Sequence, residues 1–203
     1  MQLRHATTLT SRQYVSERAW REARLARCPL HPGGGCGFAR HGTYRRVKPE
    51  GMRVARWYCP QAQTTWSLLP DCMAARLSGC LDEIERAVVA AESAGVEATA
   101  QALRVEEVEL SGALRWLRRR RRGVRAAVLA LMTMLPGRLG AVPELRALRA
   151  VLGTERALVA LRGIGADHLH ALAPPVGLRP PSLRGAERES ARQHRTGPDP
   201  PAA

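Results

Sequence analysis

Two short phrases in the first third of the chain have the residue types and spacing to hold a metal. Cys28-Pro29-Leu30-His31 and Cys59-Pro60-Gln61-Ala62 begin alike. A zinc ribbon needs two such knuckles, each presenting ligands from a tight turn, with two strands between them to bring the turns together. The first knuckle is intact as a Cys-x2-His pair. In the second the expected ligand position is Ala62, which binds nothing, so the count is completed by Cys36. The expected set is therefore Cys28, His31, Cys36 and Cys59 around a structural zinc, with Gln63 a poor substitute and Cys72 a distant one. The competing reading makes these residues buried thiols in a ribbon folded by its aromatic core. Against it stands the small size of the unit, which has too little core to fold unaided; a metal is a common remedy. Nothing indicates the open coordination position and nearby base that a catalytic zinc requires. Gly33-Gly34-Gly35 reads as slack in the knuckle, since no Gly-Lys-Ser/Thr follows as in a phosphate loop.

A second chemistry is carried by arginine. Residues 113–128 hold Arg115, Arg118, Arg119, Arg120, Arg121, Arg122 and Arg125 with no acidic residue among them. On a helix Arg115, Arg118, Arg119 and Arg122 share one face and Arg125 extends it, while Leu114, Leu117, Val124 and Val128 form the opposing stripe. A merely solvated face mixes signs; this one does not. One side is expected to pack and the other to face phosphates. A helix, a short helix and a connection precede it, the order of a helix-turn-helix unit whose last helix enters the major groove. Arg115 and Arg118, near its start, are the candidates for base edges, with Arg119, Arg122 and Arg125 on phosphates. Arg40, Arg45 and Arg46 of the ribbon complete the candidate DNA contacts. The connection over 104–110 is longer than the 3–4 residues usual in such a turn.

Catalysis finds less support. Asp71, Asp82, Asp167 and Asp199 are the only aspartates, and no grouping supplies the three carboxylates of metal-dependent strand transfer. The acidic run Asp82, Glu83 and Glu85 lies on a helix that looks structural. Asp167 with His168 and His170 reads as a chance cluster, because residues two apart do not share a helix face. No nucleophile–base pattern is seen. The expectation is a non-enzymatic protein without a small-molecule substrate.

The whole chain is consistent with a polyanionic partner. Its 203 residues carry a formal net charge of +14 and a sequence pI near 11.2, and Lys48 is the only lysine. Such an imbalance is self-repelling unless an anion compensates it. Residues 1–12 lack the apolar core of a secretory signal, and no apolar run approaches the ~18 residues of a membrane span. With five cysteines, an odd number, metal binding or burial is favoured over disulfides. A cytoplasmic location without membrane attachment follows as the expectation.

The elements that must position these residues fall into an α+β, mainly α chain. Residues 1–27 are expected to hold a helix over 11–27, capped by Ser11 and showing Tyr14, Ala19 and Trp20. Residues 28–70 form the ribbon, with strands over 38–47, 52–59 and 64–68 and a tight turn at Lys48-Pro49-Glu50-Gly51. Residues 71–137 form the helix-turn-helix-like domain. There Leu77, Leu81, Ile84 and Val88 share a helix face, Gly95 ends it, and a short helix spans 97–103. Ser111 is the candidate cap of the long basic helix, which Pro136-Gly137 stops. Two further helices are expected within 138–173, over 143–152 and 154–164, and a Pro/Arg-rich disordered tail over 174–203.

These phrases also carry a resemblance. Cys28-Pro-Leu-His-Pro-Gly-Gly-Gly-Cys-Gly-Phe-Ala-Arg-His-Gly-Thr-Tyr, Ala55-Arg-Trp-Tyr-Cys-Pro and Thr65-Trp-Ser-Leu-Leu-Pro resemble the transposase-associated zinc-ribbon proteins of bacterial insertion sequences. In that group the ribbon commonly precedes a helix-turn-helix, and the likeness spans about residues 28–125. The second knuckle there often ends in Cys or His, where this chain has Ala62 and Gln63. The catalytic domain of a full transposase is not expected within these residues. The resemblance implies a subunit that recognises double-stranded DNA, a truncated relative or a domesticated regulator. Two other readings remain open: an assembly module, including a homo-oligomer, docking through the seam from Leu110 to Leu135, and a single-stranded RNA binder whose ribbon aromatics stack on bases.

Overall fold

The computed structural model describes residues 1–104 and 110–179. The architecture is α+β. A four-stranded sheet is ordered β1-β4-β3-β2, with β1 Gln2–His5, β2 Ala39–Arg45, β3 Arg53–Cys59 and β4 Thr64–Pro70. The helices are α1 Ser11–Ser16, α2 Leu81–Ala94, α3 Val96–Ala102, α4 Leu110–Met134, α5 Leu145–Leu152 and α6 Ala157–Ile164.

The three ribbon strands form antiparallel ladders in chain order, with Trp57 opposite Trp66 and Tyr44 opposite Val54. Their turn closes where Met52 N–H donates to the Pro49 carbonyl at 3.2 Å, one residue later than the expected four. Gly51 takes the positive φ of 75° that a side chain would resist. Alternation along β3 and β4 buries both sheet faces. Val54 and Leu69 join the large core shared with the helices, while Ala55 and Leu68 pack under Ala23, Leu3 and Leu25. The boundary drawn at 70/71 thus lies inside one continuous core.

The N-terminal segment corrects the expected helix over 11–27. Its residues split into α1 and a 3-10 turn at Ala19–Arg21, separated by Arg18 in the left-handed conformation at φ 53°. The cap is Thr10, not Ser11, in a reciprocal pairing with Gln13. Before it, β1 adds a parallel strand on β4, pairing Leu3 with Leu68. Arg4 fixes that edge by donating from Nε and Nη2 to the Asp71 carboxylate at 2.9 and 2.8 Å.

Leu77 also stands outside its expected helix. Arg76 and Gly79 adopt positive φ, so residues 71–80 form a loop, and α2 starts only at Leu81 with Asp82 and Glu83 in its first turn. Leu77 is nevertheless buried with Leu81, Ile84 and Val88. Gly95 ends α2, as the sequence indicates, and leads straight into α3.

The acidic side chains of α2 organise the C-terminal helices. Glu85, 1% exposed, accepts from Ala157 N and Leu158 N at 2.8 Å each and from Arg149 Nε at 2.9 Å, capping the start of α6 from outside. Glu92 does the same for α5 through Leu145 N and Arg146 N, both at 3.0 Å. Asp82 pairs with Arg156 at 3.2 Å.

The segment 174–179 corrects the expected tail over 174–203. Val176 and Leu178 are buried in the main core. The fully buried Arg162 donates to the carbonyls of Val176 and Pro175 as well as those of Pro70, Asp71 and Met73. The rest of that expected tail, 180–203, lies outside the described residues.

Candidate metal centre and nucleic-acid interface

The candidate metal ligands come together as the spacing requires. The ligand atoms of Cys28, His31, Cys36 and Cys59 all lie within 4.8 Å of one another. His31 Nδ1 is 3.5 Å from Cys28 Sγ and 3.4 Å from Cys59 Sγ. A tetrahedral ion with metal–sulfur bonds of about 2.3 Å and metal–nitrogen bonds of about 2.0–2.1 Å would set that edge at roughly 3.6 Å. The donor set and its spacing therefore fit a four-coordinate metal.

Local turns produce this geometry. His31 N–H donates to the Cys28 carbonyl at 3.2 Å and Gly34 N–H to the His31 carbonyl at 3.0 Å, folding the first knuckle. Gly34, Gly35 and Gly37 take positive φ, which lets Cys36 turn back toward Cys28. At Gly37 a Cβ would come within 3.0 Å of Pro60 of the second knuckle. Cys59 ends β3. Ala62, where a ligand was expected, instead donates its backbone N–H to Cys59 Sγ at 3.4 Å. Burial pushes the Cys28 thiol up, but hydrogen bonds with His31, with the Leu30 and His31 backbone and with Cys59 overcome this and hold it at about 7. Cys36 is raised, chiefly by burial. Cys72 belongs to the main core, away from the cluster. Among the described residues this is the one close group of three or more His, Cys, Asp or Glu, so Asp167, His168 and His170 form none.

The basic helix α4 runs unbroken for 25 residues, about 37 Å at 1.5 Å per residue. Its start adjoins 105–109, so most of the expected connection over 104–110 lies outside the described residues, and Ser111 falls within the helix rather than before it. Leu117, Val124, Val128 and Leu131 are buried against the molecule's own core. Arg115, Arg118, Arg119, Arg121, Arg122 and Arg125 are exposed.

Arg120 departs from the other six. It is 6% exposed, lies over the Trp116 ring at 4.0 Å, and donates to Ser78 Oγ at 3.3 Å. Burial, followed by the charge of Arg119, holds its guanidinium below the usual value. Arg118 has an acidic neighbour that the sequence pattern hid: Glu97 of α3, at 2.9 Å, both side chains largely exposed.

The ribbon arginines divide. Arg40 donates to the Arg21 and Trp20 carbonyls at 2.7 and 2.5 Å, fastening the N-terminal turn to β2. Arg46 donates to the Ala74 and Leu77 carbonyls at 3.0 and 2.6 Å. Arg45 is exposed. Sequence spacing gave no sign of a further concentration of cations where Arg45 and Arg46 meet Lys48, Arg56, Arg76 and Arg179, because these residues come from separate segments. Among the described residues no helix is long and apolar enough to cross a membrane. No family model matches this sequence, and no curated protein or solved structure matches it.

Proposed function

We propose that the chain is a non-enzymatic DNA-binding protein, related to the recognition components of transposases, that grips duplex DNA through α4 and is stabilised by a structural zinc. The observation that carries this reading is the contrast between two groups of arginines. Arg4, Arg149 and Arg156 are paired with Asp71, Glu85 and Asp82, which leaves these carboxylates engaged inside the fold. Among the described residues the outward arginines of α4 make one ion pair, Arg118 with Glu97, an exposed pair that salt screens readily. Glu92 and Glu144 border a small cleft beside Arg121 and Arg125 without pairing to them. Arg119, Arg122 and Arg125 serve as phosphate contacts in this reading, and Arg115 and Arg118 reach base edges. Three thiolates and an imidazole suit zinc, and four protein ligands leave no open position for catalysis.

The competing surfaces are less favourable. The seam that an assembly partner would need is occupied by the chain itself from Leu117 to Leu131. The ribbon aromatics engage one another, Phe38 stacking on Trp57 at 5.4 Å and Tyr58 meeting His41 at 5.3 Å, which leaves less ring face for unpaired bases.

The test is a duplex-binding titration against salt. The three phosphate contacts give a log–log slope of about −3, and each of Arg119→Gln and Arg122→Gln reduces its size by about 1. A flat salt response refutes the reading. Metal analysis tests the ribbon separately: zinc near one per chain is expected, lost in Cys28→Ser and retained in Cys72→Ser.

A further inference from the structure

A groove of about 660 Å³ lies on the molecule where the end of β2, the β2–β3 turn, β3, the 71–80 loop and the C-terminal segment converge. Six of its lining residues are cations, Arg45, Arg46, Lys48, Arg56, Arg76 and Arg179, and none is acidic. Two of the six build the wall. Arg46 is bound to the Ala74 and Leu77 carbonyls, and Arg76 donates to Gly177 O at 3.2 Å and to Leu172 O.

The other four, Arg45, Lys48, Arg56 and Arg179, have no side-chain hydrogen bond or ion pair among the described residues. The Arg56 guanidinium lies 5.9 Å from the Tyr44 ring centre, and its Nε is buried without an acceptor. Burial, and then the charge of Arg179, hold Arg76 below its ordinary value. A concave surface lined by one sign of charge focuses its field on an anion. Its volume is that of a small-ligand site, within the usual ~300–1,000 Å³. Guanidinium groups match phosphate oxygens two at a time, and among the described residues no carboxylate lines the groove to compete for them.

We propose that this groove binds a phosphate-bearing ligand through Arg45, Lys48, Arg56 and Arg179. The phosphate comes either from a free nucleotide-sized molecule or from the end of a nucleic-acid strand. The site is separate from the α4 surface: none of Arg115, Arg118, Arg119, Arg122 or Arg125 lines it.

Calorimetric titration of the full chain with pyrophosphate, and with a single-stranded tetranucleotide carrying either a 5′-phosphate or a 5′-hydroxyl, tests this. Saturable pyrophosphate binding is expected, weakened about ten-fold by each of Arg45→Gln and Lys48→Gln. Neither side chain makes a hydrogen bond or ion pair among the described residues and both are exposed, so these two variants should keep the parent's thermal melt. Arg119→Gln and Arg122→Gln should leave pyrophosphate binding unchanged while weakening duplex DNA. A 5′-phosphate that tightens the oligonucleotide about ten-fold, only when the groove is intact, assigns the ligand to a strand end. Equal binding of both oligonucleotides beside tight pyrophosphate assigns it to a free molecule. The proposal is overturned if none of the probes saturates below millimolar concentration. It is equally overturned if α4 variants weaken pyrophosphate as much as groove variants do.

Discussion

Replacing Glu85 with Gln removes one charge from the core while conserving shape, and its cost can be worked out bond by bond. One carboxylate oxygen accepts from Arg149 Nε at 2.9 Å and Ala157 N at 2.8 Å; the other accepts from Leu158 N at 2.8 Å. The best placement of the amide keeps its oxygen on the first pair and turns its NH2 toward Leu158 N–H. That leaves a buried donor facing a donor, costing about 1–3 kcal/mol, and weakens the two remaining bonds by about 1 kcal/mol each. The favourable charge at the start of α6 is lost as well, at roughly 0.3–2 kcal/mol. Easier desolvation of a neutral amide offsets part of this, so the net loss is about 3–5 kcal/mol, the usual result of breaking a buried pair. For a chain of this size that corresponds to a fall in Tm of roughly 10 °C. Thermal melting and urea unfolding followed by circular dichroism would measure it, with the urea midpoint falling at constant slope. Glu155→Gln is the control. Its ion pair with Arg149 is shorter, at 2.7 Å, but its side chain is 85% exposed, so Tm should move by no more than about 2 °C. If the two variants lose equal stability, the assignment of Glu85 as the buried cap of α6 is refuted.

Gly123→Ala should destabilise the protein even though alanine favours a helix interior by about 1 kcal/mol. The added Cβ would sit 2.2 Å from the Pro174 carbonyl oxygen, forcing the C-terminal segment off α4, and a lower urea midpoint by about 1–3 kcal/mol is expected. Arg162→Met leaves five backbone carbonyls without their common donor, so a large drop in melting temperature is expected, exceeding that of any substitution on the exposed face of α4. Glu97→Gln frees Arg118 and removes a negative charge beside the ridge; duplex affinity should rise about two- to three-fold at low salt, an advantage that shrinks as salt is added.

Features encoded within a few residues could be read directly from the chain. Turn chemistry and β-forming residues marked the three ribbon strands, and Gly95 and Pro136 marked helix ends. The Cys-x2-His knuckle, with Cys36 and Cys59, marked four side chains that the fold brings within 4.8 Å of one another, because a tight turn gathers the first three and the β2–β3 hairpin returns the fourth. The arginine ridge followed from helical periodicity alone. Arg120 was the exception: its burial depends on Trp116 beside it and on Ser78, from a loop 42 residues away. The same limit hid β1, a four-residue strand whose partner lies more than 60 positions further along. It also hid the caps that α2 supplies to α5 and α6, the core role of Val176 and Leu178, and the cation-lined groove. In each case a polar or short segment acquires its role from a remote partner, and only the folded chain brings the two together.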